Sequence, residues 1–298
     1  MAQIHHPKAT PKRPLGEPTR GKTARNRLRR VDNFLAMYDP RLIRRNDGEF
    51  AQAWFVDLGY GSEPWTALES AERLRKLNPR LPVLGVEIDP ERVAAAQPYA
   101  DALTQFRLGG FNVPLQSLAT GRVETARAIR AFNVLRQYNE TAVADAWAQM
   151  MKCLLPGGLL IEGTSDPLGR IWVANVLRKG ERELGSRGDR ESSTTNDHLP
   201  PATCHLLVFS SNFRTGFDPG EFQERLPKNL IHHMVEGEWI FDFFAAWKRA
   251  AAATTAYKTF GLRQWFAAAA LQLAEQGYVV DTRRKWIANG YLLLSLTP

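Results

Sequence analysis

The residues best placed to do chemistry lie in Phe55-Val56-Asp57-Leu58-Gly59-Tyr60-Gly61 and in Gly85-Val86-Glu87-Ile88-Asp89. Glycines at the end of a first strand let the backbone come close to a ligand. An acid at the end of the next strand can accept both hydroxyls of a ribose. Together they predict an adenosine-containing ligand. A dinucleotide fits less well, because its pyrophosphate needs the full G-x-G-x-x-G and the third position here is Pro64, which has no N–H to offer. Asp57 would also bring a negative charge toward a diphosphate, so the pattern favours a ligand that carries cationic groups.

The elements that position these residues alternate. Strand Trp54-Phe55-Val56-Asp57-Leu58 is followed by a helix opening near Pro64, with Trp65, Leu68, Ala71 and Leu74 on one face. A second strand runs through Val83–Ile88, a third lies near Gln105–Leu108, and a fourth runs from Ala128 to Val134. A helix carries Val143, Trp147, Met150 and Leu154 on one stripe and stops at Pro156-Gly157-Gly158, where a fifth strand, Leu159–Glu162, begins. This alternation implies crossover units and a parallel sheet.

In order and spacing this stretch resembles the class I S-adenosylmethionine-dependent methyltransferases. Asp57-Leu58-Gly59-Tyr60-Gly61 is similar to the family's D-x-G-x-G loop, Glu87 to its ribose-binding acid and Ile88 to the apolar residue beside the adenine. Phe132-Asn133-Val134-Leu135 is similar to the fourth-strand segment facing the methyl group, and Leu155-Pro156-Gly157-Gly158 to the turn entering strand five. The resemblance covers about residues 54–162. It implies a Rossmann-like class I methyltransferase fold of the α/β class: a mostly parallel seven-stranded sheet, an antiparallel last strand and an insertion after strand five at about 165–255. It implies S-adenosylmethionine as cofactor over the ends of strands one, two and four, held by Asp57, Gly59, Tyr60, Gly61, Glu87, Ile88 and Asn133. Two departures stand out. Glu63 occupies the place of the family's third glycine, and Leu108-Gly109-Gly110-Phe111-Asn112 lacks the acid that often meets the adenine amino group. Phe111 and Asn112 are the candidates there. Asn133, Arg136, Gln137 and Tyr138, at the end of the fourth strand, are candidates for acceptor contact, with Asn133, Arg136 and Tyr138 foremost. Glu162 either faces the cleft or caps a loop.

Past Glu162 the alternation fails. Residues 178–200 read as a mobile loop, Cys204–Ser210 as a strand outside the alternation, and Tyr278–Val280 with Tyr291–Leu296 as a closing antiparallel hairpin. Trp239, Ile240, Phe241, Phe243, Phe244 and Trp247 make one helix apolar nearly all round, either buried on several sides or a lid over a small apolar acceptor. A second helix runs from about Leu262 to Gln276. Other chemistries find little support. His5-His6 and His232-His233 lack metal-ligand spacing, Gly163-Thr164-Ser165 is not a nucleophile elbow, and Cys153 sits on an apolar helix face as an inert thiol. The family's N-P-P-Y and Pro-Cys signatures are absent.

The chain has 298 residues, is 44% hydrophobic and 23% charged, and holds 39 Lys+Arg against 31 Asp+Glu. That composition excludes collagen-like, fully disordered and disulfide-scaffold classes. Nine of the bases lie in residues 1–30 beside one acid, Glu17, so the net charge of +8 belongs to that segment and the remainder is formally neutral. Residues 1–21 are expected to be a disordered basic tail, 22–50 a basic helical segment with Leu28, Val31, Phe34, Leu35 and Tyr38 on one stripe, and 51–298 the catalytic-type domain. Two cysteines, no signal-like stretch and no membrane-length apolar run give the expectation of a cytoplasmic protein. The basic segment makes RNA a candidate acceptor or partner, against the simpler reading of a solvated tail. Two functions follow: a methyltransferase of unidentified acceptor, and a methyltransferase-like module without catalysis that binds nucleic acid or protein.

Overall fold

Every residue of β1 (Trp54–Leu58) is buried, as a strand covered on both faces must be, and its sequence is accordingly an apolar run interrupted by Asp57 alone. The computed structural model describes residues 13–19, 21–117, 120–180 and 204–296. With β2 (Val83–Glu87), β3 (Thr104–Leu108), β4 (Ala126–Phe132), β5 (Leu154–Ser165), β6 (Ile171–Arg178), β7 (Leu206–Ser211) and β8 (Tyr291–Ser295), β1 forms one eight-stranded sheet in the order β3-β2-β1-β4-β5-β6-β7-β8. From β3 to β5 all pairs are parallel, and the three pairs beyond are antiparallel.

One face is covered by α1 (Arg29–Tyr38), α2 (Pro40–Arg44), α3 (Trp65–Leu74) and α4 (Pro90–Ala96), whose apolar sides join Phe55, Val83, Ala128, Trp172 and Tyr291 in a single core. The other face carries two cores. α5 (Thr141–Cys153) packs Val143, Trp147 and Met150 on Val56, Ile129 and Leu160. Beyond it α6 (Lys228–Ile231), α7 (Trp239–Ala253) and α8 (Leu262–Glu275) pack on the antiparallel strands through Val173, Leu207, Phe209 and Leu292. The short α9 (Arg284–Ile287) leads into β8.

The mostly parallel sheet with an antiparallel last strand is as the resemblance implied, but there are eight strands instead of seven. The additional strand is β6. It turns back from β5 through a tight loop in which the Asp166 carboxylate accepts the Arg170 amide at 2.6 Å and Gly169 takes a positive φ of 65°. Residues 165–255 are therefore not only an insertion, since they supply β6 and β7 to the sheet. The expected closing hairpin reduces to a single bridge between Val280 and Leu294. The expected mobile loop lies mostly in residues 181–203, outside the described residues.

The aromatic helix is core and no lid: Ile240, Phe243, Phe244 and Trp247 of α7 are fully buried, with Phe243 stacked on Phe209 at 5.4 Å. The N-terminal helix begins at Arg29 and not at Lys22, residues 25–28 forming turns. Where composition predicts disorder to residue 21, residues 13–19 and 21 lie against the body, because body groups satisfy their backbone donors and acceptors.

Candidate cofactor cleft

The parallel strands end at Leu58, Glu87, Leu108, Phe132 and Ser165 along one edge of the sheet, the edge at which an open α/β sheet leaves a crevice. Leu58, Gly59, Glu87, Ile88, Gly109, Gly110, Phe111, Val134 and Tyr138 line a cleft there. Gly59 holds a φ of 73°, and a Cβ at that position would stand 2.6 Å from Val134 Cγ2, so the loop after β1 needs glycine for both backbone and space.

Glu87 is 1% exposed. Its Oε2 accepts the Gly61 amide at 2.9 Å, its Oε1 accepts the Ile88 amide at 3.0 Å, and Arg92 stands 3.6 Å away. The acid is thus fixed in one orientation on the cleft wall. Tyr60 packs edge-on against Phe106 and donates to the Arg92 carbonyl at 3.3 Å. Burial, with Glu87 and Asp57 nearby, pushes its phenol up, so it stays neutral.

Asp57 has other partners. Its carboxylate is 2% exposed, accepts the Thr66 hydroxyl at 2.6 Å and pairs with the Arg130 guanidinium at 2.8 Å. Arg130 reaches on to Asp32, which Ser70 and Arg73 also hold at 2.9 Å. The first residue of the D-x-G-x-G loop is therefore anchored within the core under α1 and α3.

Just past β4, Asn133 takes a φ of 60°. Its Oδ1 accepts the Ser165 amide at 3.1 Å and its Nδ2 donates to Ser165 Oγ at 3.2 Å, clamping the ends of β4 and β5 together. Arg27 donates to the same hydroxyl at 3.1 Å. Tyr138 stacks edge-on against Phe111 at 5.2 Å, and burial raises its phenol. Arg136 and Gln137 are exposed. Glu162 is set apart: it lies on the α5 face, 1% exposed, bonded to Asn175 at 3.0 Å, and burial raises its carboxyl to about 7. Cys204, beside Asn175, is pushed up to about 12 by burial.

Sequence reasoning missed the segment that crosses the cleft. From Arg13 the chain runs over the β3 loop, past Tyr138, across α4 and onto the β1 loop, then down α3 to the end of β5. The Arg13 carbonyl accepts from Asn112 at 3.0 Å, Gln137 donates to the Glu17 carbonyl at 3.0 Å, Arg92 donates to the Thr19 carbonyl at 3.0 Å, and the Ser62 amide bonds the Gly21 carbonyl at 2.8 Å. Leu15, Gly16, Glu17 and Thr19 are part of the cleft wall. The only sequence signal for this strap is its punctuation, Pro14-Leu15-Gly16-Glu17-Pro18, which reads equally well as tail. Among the described residues no cluster of metal-binding side chains occurs, and no helix is long and apolar enough to cross a membrane.

No family model matches the chain, and no curated protein does. Solved structures overlap part of it. The plantazolicin methyltransferase BamL is 10% identical over 47% of each chain with a TM-score of 0.33. The O-methyltransferase NcsB1 from neocarzinostatin biosynthesis, solved with S-adenosylmethionine, is 18% identical over 45% of this chain and 39% of its own, at 0.29. The cyclopropane synthase MmaA2 from Mycobacterium tuberculosis is 18% identical over 44% and 42%, at 0.30. Each overlap spans less than half of the matched chain and is a likeness alone. From its own strand order, β3-β2-β1-β4-β5 with a crevice over the strand ends, the fold is α/β and Rossmann-like.

Proposed function

We propose that this protein is an S-adenosylmethionine-dependent methyltransferase. The observation that carries the reading is the position of Glu87: a buried carboxylate fixed at the end of β2, on the wall of the switch-point crevice, beside an apolar pair, Ile88 and Phe111, suited to flank an adenine. The donor set fits the cofactor. Glu87 would accept the ribose hydroxyls, the backbone at Gly59 would allow close approach, and the Phe111 amide with the Asn112 side chain would read the adenine edge. Asp57 acts through the core, holding the β1 loop by its pair with Arg130. Once bound, the cofactor supplies a methyl group on a sulfonium for in-line transfer to a positioned nucleophile.

Asn133 and Ser165 shape the acceptor end, and Tyr138 and Arg136 stand at its mouth. RNA as acceptor rests on the bases of residues 1–30, of which 1–12 and 20 lie outside the described residues. A salt series of RNA affinity with the intact chain tests it, and a flat dependence removes that acceptor class.

Calorimetry with S-adenosylmethionine and S-adenosylhomocysteine on the wild-type chain and on Glu87→Ala tests the cofactor reading. Binding that the substitution sharply weakens is expected, and no binding either by the wild type or by chains in which the segment over the cleft is loosened overturns it. Transfer of a labelled methyl group to a cellular extract then separates an active enzyme from a binding module.

A further inference from the structure

The strap is bonded to the cleft in a specific way. The Leu15 amide donates to Asn112 Oδ1 at 2.9 Å, and the Leu15 carbonyl accepts the Phe111 amide at 2.9 Å. A donor and an acceptor on one residue thus meet a side-chain oxygen and a backbone N–H. An adenine edge offers the same pair, its amino group and its N1. Next to it Gly16 spans the apolar walls: a Cβ there would lie 3.5 Å from Ile88 Cδ1 and 3.6 Å from Phe111 Cε2. The Glu17 amide bonds the Tyr138 hydroxyl.

The seat is cut for the strap. A Cβ on Gly110 would collide with the Leu15 carbonyl oxygen, and one on Gly61 would stand 2.7 Å from the Gly21 carbonyl oxygen. The cleft that remains has a volume of about 20 Å³, far below the roughly 300–1,000 Å³ of small-molecule pockets. An adenine reading the Phe111 amide and Asn112 Oδ1 would need the groups that Leu15 occupies.

We propose that residues 13–19, with Gly21, are an intramolecular competitor of the cofactor: Leu15 takes the hydrogen bonds of the adenine site, and cofactor binding requires the strap to leave. This rests on the cofactor reading above and adds regulation of the same site. The apparent cofactor affinity is the intrinsic affinity scaled by the fraction of molecules with the strap released. Any event that favours the released strap therefore tightens cofactor binding without touching a cofactor contact.

Two substitutions in the intact chain test this. Leu15→Pro removes the amide that pairs with Asn112. Gly16→Ala strains a φ of 135° and crowds the Tyr138 hydroxyl. Both residues are exposed, so the fold is unaffected, which thermal melts verify. S-adenosylhomocysteine measured by calorimetry should bind each variant about five-fold or more tightly than the wild type. Hydrogen exchange at the Glu17 amide should be protected in the wild type, faster in both variants, and faster in the wild type on adding ligand. Unchanged or weakened binding by loosened variants overturns the competitor role and leaves the cofactor reading intact. Failure of wild type and variants alike to bind, with faster exchange in the variants, overturns the cofactor reading and this proposal with it.

Discussion

Asp57 and Arg130 stand opposite each other in the register of β1 and β4, and their side chains close a buried ion pair at 2.8 Å. Neighbouring positions on parallel strands point to the same face, so the pair is a direct consequence of register. Asp32 from α1 meets the same guanidinium and Arg73 from α3 completes the set. Two carboxylates and two guanidiniums thus balance in the core and tie the N-terminal helix to the loop that frames the cleft.

Removing the shared cation should be severe. Arg130→Met leaves Asp57 buried without a guanidinium and Asp32 with Arg73 alone, and the expected loss is about 3–5 kcal/mol of unfolding free energy. Urea unfolding measures it. Asp57→Ala should likewise lower stability, because it leaves the buried Arg130 with Asp32 as its one carboxylate partner among the described residues. A loss of cofactor affinity with stability unchanged would show instead that Asp57 works at the ligand.

Glu87→Gln keeps the shape of the side chain but removes its charge. Charge-assisted hydrogen bonds contribute about 1.5–3 kcal/mol, so S-adenosylhomocysteine affinity should fall roughly ten- to hundred-fold by calorimetry. Glu162→Gln, a buried acid on the α5 face away from the cleft, should leave that affinity where it is.

Glu162 also sets a pH dependence. Burial raises its carboxyl from 4.5 to about 7 in the folded protein, so the folded state holds a proton that the unfolded chain has released between those values. Its contribution is fully present below pH 4.5 and is lost as the pH rises through 7. The loss is about 3 kcal/mol over that window. Chemical unfolding across the window should show the fall in wild type and a flatter profile in Glu162→Gln.

Trp247 should behave as a core residue. It is fully buried and rings from Phe209, Phe222 and Phe243 pack against it at 5.0–5.7 Å. Trp247→Ala should cost about 3–5 kcal/mol, while S-adenosylhomocysteine affinity at a temperature where the variant remains folded should match wild type. A selective loss of ligand binding would restore the helix as a cover for the site.

The parallel half of the sheet was legible because its strands are short apolar runs separated by helical stripes, each bounded by glycine or proline. Leu58-Gly59, Glu87 and Asn133 fall at strand ends, where that pattern puts them. β6 was not legible. Ile171-Trp172-Val173-Ala174-Asn175-Val176-Leu177 is buried on both faces, so it shows neither the alternation of a half-exposed strand nor the company of a crossover helix. The aromatic helix was legible as apolar all round, but whether it covered ligand or core depended on the presence of Phe209 and Phe222 beneath it.

What the sequence determined by itself is local: which runs make strands, where the glycines free the backbone, and that an acid ends the second strand. These follow from side-chain period and backbone freedom, which each segment carries alone. Only the tertiary structure decided the partners. Register across β1 and β4 gave Asp57 to Arg130, and the path of residues 13–19 over the cleft gave Leu15 to Phe111 and Asn112. The latter bonds link residues almost a hundred positions apart, and on the Leu15 side they use only backbone groups that nearly every residue possesses. A donor and an acceptor common to all peptides leave no mark in composition or spacing, so the closed cleft could be seen only in the folded chain.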